Sequence, residues 1–232
     1  MNWIIERTEK SSANFIMQKD AQLLEALDYP TLHFYEWEKD TATYGCFIKP
    51  QEFLDLNKVA LLDLDLAKRP TGGGIVFHIT DLAFSVLLPS NHPAFSINTL
   101  DNYAFVNEAV IETIKELNIS SQLLSFEPTP MDLSCKHFCM AKPTKFDVMV
   151  EGRKIGGASQ RRTKKGFLHQ ATISIALLPE EYLKEVLLPG TKVIEAMQQN
   201  SASLLGKGVS KKDIEEMRII LKQGLEKTLK KR

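Results

Sequence analysis

Residues 150–162 read VEGRKIGGASQRR, which sets one lysine, Lys154, among Gly152, Gly156 and Gly157 and follows it with small residues and two arginines. Glycine lets a ligand oxygen approach main-chain N–H groups with no side chain in the way, and a lysine beside them supplies the charge that holds the oxygen. Taken alone, the pattern also describes an exposed turn. A second stretch works with it. Residues 68–78, KRPTGGGIVFH, lead from a cationic pair and Pro70 through Gly72, Gly73 and Gly74 into the apolar run Ile75, Val76 and Phe77. The proline restricts itself and Arg69, the glycines permit positive φ, and the apolar run has the β propensity to enter a sheet. A glycine-rich hairpin turn is the plain alternative. Neither G-x-x-x-x-G-K-[ST] nor a helix-opening G-x-G-x-x-G is present, so the two common phosphate-loop patterns are excluded.

Periodicity around these stretches supports an α+β class. A helix is expected from about Phe15 to Leu27, with Ile16, Leu23, Leu24 and Leu27 as its stripe, followed by a strand from Leu32 to Trp37. The run from Leu82 to Leu88 is too apolar for a half-exposed strand and reads as a central one. Asn98 or Thr99 can cap a helix whose stripe is Tyr103, Val106, Val110, Ile114 and Leu117. Further strands are expected at Gln122–Phe126, Phe146–Val150 and Leu168–Ile175, with a proline-bearing loop from Glu127 to Thr144. From about Pro179 the chain should be helical. Ser210 and Asp213 open the last helix in capping-box fashion, and Ile214, Met217, Leu221 and Leu225 form a face that packs on the chain's own core.

Composition bounds the rest. A chain of 232 residues buries roughly 70% or more of its unfolded surface, so one catalytic domain over 1–232 is the expectation. Lysine and arginine number 29 against 29 acids, with none of the basic excess that nucleic-acid binding needs. No apolar run reaches signal-peptide or membrane-spanning form, and three cysteines without framework spacing suit a reducing compartment. A cytoplasmic protein with no membrane or nucleic-acid partner is expected. Cys135, His137 and Cys139 form a Cys-x-His-x-Cys cluster, but no second cluster follows to complete four zinc ligands, and no metal is expected there.

Taken together, RPTGGGIVFH from Arg69 to His78, DLAFSV from Asp81 to Val86, and DVMVEGRKIGGASQ from Asp147 to Gln160 resemble the lipoate-protein ligase A and octanoyltransferase family, relatives of the biotin protein ligases. LHFYEW from Leu32 and ATYG from Ala42 resemble that family's first strands. The resemblance implies a mixed, largely antiparallel sheet flanked by helices. It also implies transfer of an octanoyl or lipoyl group to the target lysine of a lipoyl domain, in a 2-oxoacid dehydrogenase or the glycine cleavage H protein.

The same resemblance assigns roles. CMAKPTKFD, from Cys139 to Asp147, is similar to the C-x-x-x-P-[ST]-x-[YF]-[ED] run of the cysteine-dependent octanoyltransferases, which implies that Cys139 takes the acyl group from an acyl carrier protein as a thioester. Phe146 stands where the ligases generally show asparagine, which favours the transferase. A thiol is strongly nucleophilic as its thiolate, which a nearby ammonium such as Lys154 would favour. Lys154 would hold the acyl carbonyl, and Arg69, Gly72, Gly73, Gly74, Ile75, Val76, Phe77, Asp147 and Ala158 would form the substrate site. The transferase needs no cofactor. In the ligase alternative ATP and Mg²⁺ make an acyl-adenylate, Asp147 helps hold the ion and Cys139 is a spectator. A third reading is a non-catalytic module that binds a lipoyl domain or acyl carrier, motivated by His169, Gln170 and Ala171 where relatives more often have a histidine followed by glycine.

Overall fold

The computed structural model describes residues 2–232. Its main sheet has seven strands in the order β1-β2-β6-β10-β9-β8-β7. These are β1 (Ile4–Ser11), β2 (Thr31–Trp37), β6 (Asp81–Pro89), β7 (Gln122–Leu123), β8 (Val148–Val150), β9 (Arg153–Arg162) and β10 (Gly166–Ser174). The smaller sheet runs β4-β3-β5, from β3 (Thr41–Tyr44), β4 (Asp65–Lys68) and β5 (Ile75–His78). Pairing is antiparallel throughout except for β1 with β2 and β3 with β4.

Strand alternation divides the main core. On β6, Leu82, Phe84, Val86 and Leu88 face a large cluster that also takes Val106, Val110 and Ile114 of α3 (Thr99–Lys115) and Ile214, Leu221, Leu225 and Leu229 of α6 (Lys211–Leu229). Gly224 lets the two helices close, since a Cβ there would lie 2.5 Å from Thr113 Cγ2. The opposite face of β6 meets α1 (Ala13–Glu25), through Ala83 in one cluster and Leu87 with Leu24 in another. A second core joins the smaller sheet to α2 (Leu56–Leu61), α4 (Glu180–Val186), α5 (Val193–Asn200) and the segment around Phe138.

Most expected elements are present, with shifted ends. Ser12 caps α1, Asn98 caps α3, and Ser210 with Asp213 closes a capping box on α6. Two strands are shorter than the patterning suggests. Leu124 to Phe126 leave β7, and Phe146 and Asp147 precede β8, because Phe146 holds φ 67° and turns the chain at that point. The larger departure concerns residues 153–162, where a glycine turn was an open reading. They form β9, and the turn is confined to Glu151 and Gly152, both at positive φ. A central strand tolerates Gly156 and Gly157 because neighbouring groups fill the space their side chains leave.

Candidate functional site

Lys154 leaves β9 for the interior and is 2% exposed. Its ammonium donates to the main-chain oxygen of Cys139 at 2.6 Å and pairs with Asp147 Oδ2 at 2.7 Å. Gly157 makes that position possible, because a Cβ there would lie 2.6 Å from Lys154 Nζ. Asp147 is fully buried and meets partners at both oxygens. Its Oδ1 accepts from the Tyr103 hydroxyl at 2.9 Å, and its Oδ2 accepts from Thr144 N at 2.6 Å and Thr144 Oγ1 at 2.9 Å as well as from Lys154. The Tyr103 hydroxyl also accepts from Ala158 N at 2.8 Å and lies 2.9 Å from Ala158 O, which competes with Asp147 for its single proton, and burial followed by the nearby Asp147 charge holds its phenol well above the usual pKa.

The 68–78 stretch comes to the same place. Arg69, 5% exposed, sends Nη1 to Thr43 Oγ1 at 2.8 Å and Nη2 to the carbonyl oxygens of Gly72 at 3.0 Å and Gly74 at 2.7 Å, which fixes the shape of the glycine loop. Gly73 holds φ 83°, and a Cβ there would lie 3.2 Å from Arg69 Nη2, 3.3 Å from Ser159 Cβ and 3.7 Å from Cys139 Sγ. Arginine, thiol and β9 thus meet around one bare glycine. Burial lowers the pKa of Arg69, and the facing Cys139 is the first of the groups that offset it. Arg69 thus stands across Gly73 from the thiol, and the Lys154 ammonium reaches the Cys139 backbone.

The remaining expected residues separate by strand face. Val76 lines the cleft together with Arg69, Cys139 and Ala158. The side chains of Ile75 and Phe77 point the other way into the second core, as alternation on β5 requires, although the Ile75 carbonyl meets the Cys139 backbone. Gly74 serves packing, since a Cβ there would meet His137 O at 2.4 Å. Gly72 is open on that side. Cys139 is half-buried and held by its own backbone, with N bonded to Ile75 O at 3.1 Å. The loop that carries it is anchored on both flanks by buried Phe138 and Ala141. Cys135 is fully buried, and desolvation pushes its thiol up to about 11. No group of three or more His, Cys, Asp or Glu side chains converges among the described residues.

Several cleft residues were not among the site residues expected from sequence. Thr71 donates to Gln170 Oε1 at 2.7 Å and meets Ser159 Oγ at 2.7 Å, joining the glycine loop to β9 and β10. Gln170 in turn donates to Asp20 at 2.6 Å, and buried Asp20 also binds His33 Nδ1 at 2.7 Å and Ser85 Oγ at 2.6 Å. His78 lies between Thr43 and Asp81, at 2.8 and 2.7 Å, and its ring stacks on Trp37. A buried aspartate inside an amphipathic helix was the available signal for Asp20. Burial keeps His169 neutral, with a pKa lowered to about 3. Its Nδ1 donates to the Gln160 side-chain oxygen at 2.7 Å, on the α3 side of the sheet.

With this geometry in hand, comparison with known proteins is specific. Octanoyltransferase LipM of Halalkalibacterium halodurans is 27% identical over 213 residues, 88% of this chain and 77% of that protein. Octanoyltransferase LipM of Bacillus subtilis is 26% identical over 236 residues, 97% of this chain and 85% of that protein. A crystal structure of lipoate-protein ligase A bound with ATP superposes with a TM-score of 0.74 at 24% identity, covering 99% of this chain and 86% of the other, which establishes the shared fold. No helix among the described residues is long and apolar enough to cross a membrane. The model of the lipoyl protein ligase A/B catalytic domain matches residues 12–221, and the chain belongs to that family.

Proposed function

We propose that residues 1–232 act as one catalytic unit, helical from about residue 179, that transfers an octanoyl or lipoyl group to the target lysine of a lipoyl domain through a thioester on Cys139. The observation that carries this reading is the meeting of Cys139 Sγ, Arg69 and the bare backbone of Gly73 beside Lys154. The Cys139 thiolate attacks the carbonyl carbon of a carrier-bound acyl thioester. A new C–S bond forms, the carrier's C–S bond breaks, and the carrier thiol leaves with the proton that Cys139 gave up. The acceptor lysine's neutral amine then attacks the enzyme thioester. Its C–N bond forms, the bond to Cys139 breaks, and an amine proton returns to sulfur.

Arg69 stabilises the thiolate in both steps. Lys154 has three N–H donors, and Cys139 O and Asp147 engage two of them. The third is free for the acyl oxygen as it gains charge, in a buried setting where one such donor is typically worth ~10²–10³ in rate. Octanoyltransferase relatives over most of the chain support the acyl-transfer reading. An acyl carrier protein as donor and a lipoyl domain as acceptor are the partners that follow from it.

In the ligase route, ATP would activate a free acid as the adenylate, and Lys154 would meet the carboxylate and α-phosphate. Asp147 is a poor magnesium ligand as arranged, because Thr144 and Lys154 take its Oδ2 and only Oδ1, beside the Tyr103 hydroxyl, keeps an open lone pair. The deciding experiment is Cys139→Ser, weighed by mass spectrometry with octanoyl carrier and, separately, with ATP and lipoate. Loss of carrier-dependent acylation of the acceptor supports the thioester route. Full ATP-dependent lipoylation by the variant would replace it with the ligase route.

A further inference from the structure

The face of the main sheet that meets α1 carries a row of polar side chains. His33 of β2 is the register partner of Ser85 on β6, Ser85 of Gln170 on β10, and Gln170 of Ser159 on β9, so they stand side by side across neighbouring strands. His33, Ser85 and Gln170 are buried, in a layer that elsewhere holds Ala83, Leu87 and Leu168. Asp20 of α1, also fully buried, lies over the row. Buried polar groups are costly unless bonded, so a polar row in an apolar layer calls for a role.

The direction of each bond along the row follows from which groups can donate. Asp20 Oδ2 accepts from Ser85 Oγ at 2.6 Å and from Gln170 Nε2 at 2.6 Å, and its Oδ1 meets His33 Nδ1 at 2.7 Å. A carboxylate only accepts, so the Gln170 amide turns its NH₂ toward Asp20 and its oxygen toward Thr71. That oxygen takes the single proton of the Thr71 hydroxyl, at 2.7 Å. Thr71 Oγ1 and Ser159 Oγ are 2.7 Å apart, and with the threonine proton committed it is Ser159 that donates. One carboxylate therefore sets the direction of successive hydrogen bonds that end on a serine it does not touch.

Ser159 lines the cleft with Cys139, and its Cβ and the thiol Sγ lie 3.3 and 3.7 Å from the point where a Gly73 Cβ would stand. Its proton is committed to Thr71, so it offers the cleft lone pairs and no donor. We propose that Ser159 Oγ accepts an N–H of the amine that attacks the Cys139 thioester and so turns the nitrogen lone pair toward the acyl carbon. Asp20, Gln170 and Thr71 are the positioning residues that hold Ser159 in that state. The proposal rests on the acyl-transfer reading above and adds the group that receives the acceptor lysine. The bonds made and broken are unchanged: C–N forms, C–S breaks and the amine proton goes to sulfur, while the serine keeps its own proton on the Thr71 side. With the row reversed, Ser159 would point its proton at the cleft, where it would bind the amine lone pair and hold it away from carbon.

The test separates the two half-reactions of the full chain by mass spectrometry, with octanoyl-N-acetylcysteamine to load Cys139 and N-acetyllysine amide to unload it. Ser159→Ala should slow unloading about 10-fold more than loading, the size of one net hydrogen bond. Ser159→Thr keeps the hydroxyl and should restore the ratio. Asp20→Asn frees the bond direction and should also slow unloading selectively, with Gln170→Leu, which cuts the row, as a second variant. Equal slowing of both steps would reduce the row to a structural one and overturn the role of Ser159. Urea midpoints read the bond direction without any acyl group. Ser159→Ala should lower the midpoint less in an Asp20→Asn or Gln170→Leu background than in wild type, because Thr71 can then point either way. An equal lowering would overturn the control by Asp20. Coupled midpoints in a protein whose Cys139 accepts no acyl group would remove the transfer reading and the amine contact while leaving the bond direction standing. Transfer with equal slowing of both steps would keep that reading and remove Ser159 from it.

Discussion

Lys154 and Gly157 occupy one volume on β9: a Cβ at position 157 would lie 2.5 Å from Lys154 Cε and 2.6 Å from its Nζ. The glycine is what lets a lysine in a central strand fold back along its own sheet and present an ammonium to Cys139 and Asp147. Gly157→Ala should therefore displace the ammonium and lower acyl transfer on the order of 100-fold, with a stability loss of about 1–3 kcal/mol from overpacking. Gly152→Ala is the control. That glycine sits at φ 75° with open space around it, so backbone strain of about 1 kcal/mol with an unchanged rate is expected. Initial rates and urea midpoints of the two variants check the pair, and equal rate losses would defeat the argument.

The ion pair behind that geometry is buried on both sides, with side-chain exposures of 3% for Lys154 and 0% for Asp147. Removing one partner strands a charge in the interior, and Lys154→Met should destabilise the fold by about 3 kcal/mol. Adding Asp147→Asn neutralises the stranded carboxylate and should recover a substantial part of that loss. Urea denaturation of wild type, single and double variants measures the coupling directly. A double variant less stable than Lys154→Met alone would show that the Tyr103 and Thr144 contacts matter more than the charge.

His169 sets a pH dependence of stability. Its pKa is about 3 in the fold, against 6.5 ordinarily, because burial disfavours the imidazolium. Between those values the unfolded chain binds the extra proton, so this contribution is complete above about pH 6.5 and is lost as pH falls toward 3. The expected loss between pH 7 and pH 5 is about 2 kcal/mol. Urea curves at the two pH values should show it in wild type, and His169→Gln should reduce the difference by that amount.

Ser210 offers a change remote from the chemistry. Its hydroxyl accepts from Asp213 N at 3.2 Å, and Asp213 returns a bond to Ser210 N at 3.0 Å. Ser210→Ala should lower stability by about 1 kcal/mol with acyl transfer unchanged, read from thermal unfolding and initial rates.

What could be read in advance follows from where the information lies in the chain. Asn98 and Ser210 state helix starts by local chemistry, and the unbroken apolar run of β6 states its central position, so these were legible. β9 was not, because glycine has no strand propensity and its place in a sheet depends on what fills the gap. The bond between Thr71 and Gln170, 99 positions apart, was equally invisible, since neither residue's neighbourhood names the other as partner. Asp20 was given no role in the sequence reading, because its partners His33, Ser85 and Gln170 come from three different strands.

The amino-acid order by itself determined the class of the fold, the caps of α3 and α6, and the presence of two glycine-rich stretches beside a cysteine and a lysine. These depend on propensity, periodicity and short spacings. Tertiary structure alone decided that Arg69 meets the Cys139 thiol across Gly73, which side of β5 looks into the cleft, and that Asp147 is held by Thr144 and Lys154. Each of those is a question of distance between residues far apart in the chain, and in a close-packed interior such distances are set by all the packed elements together.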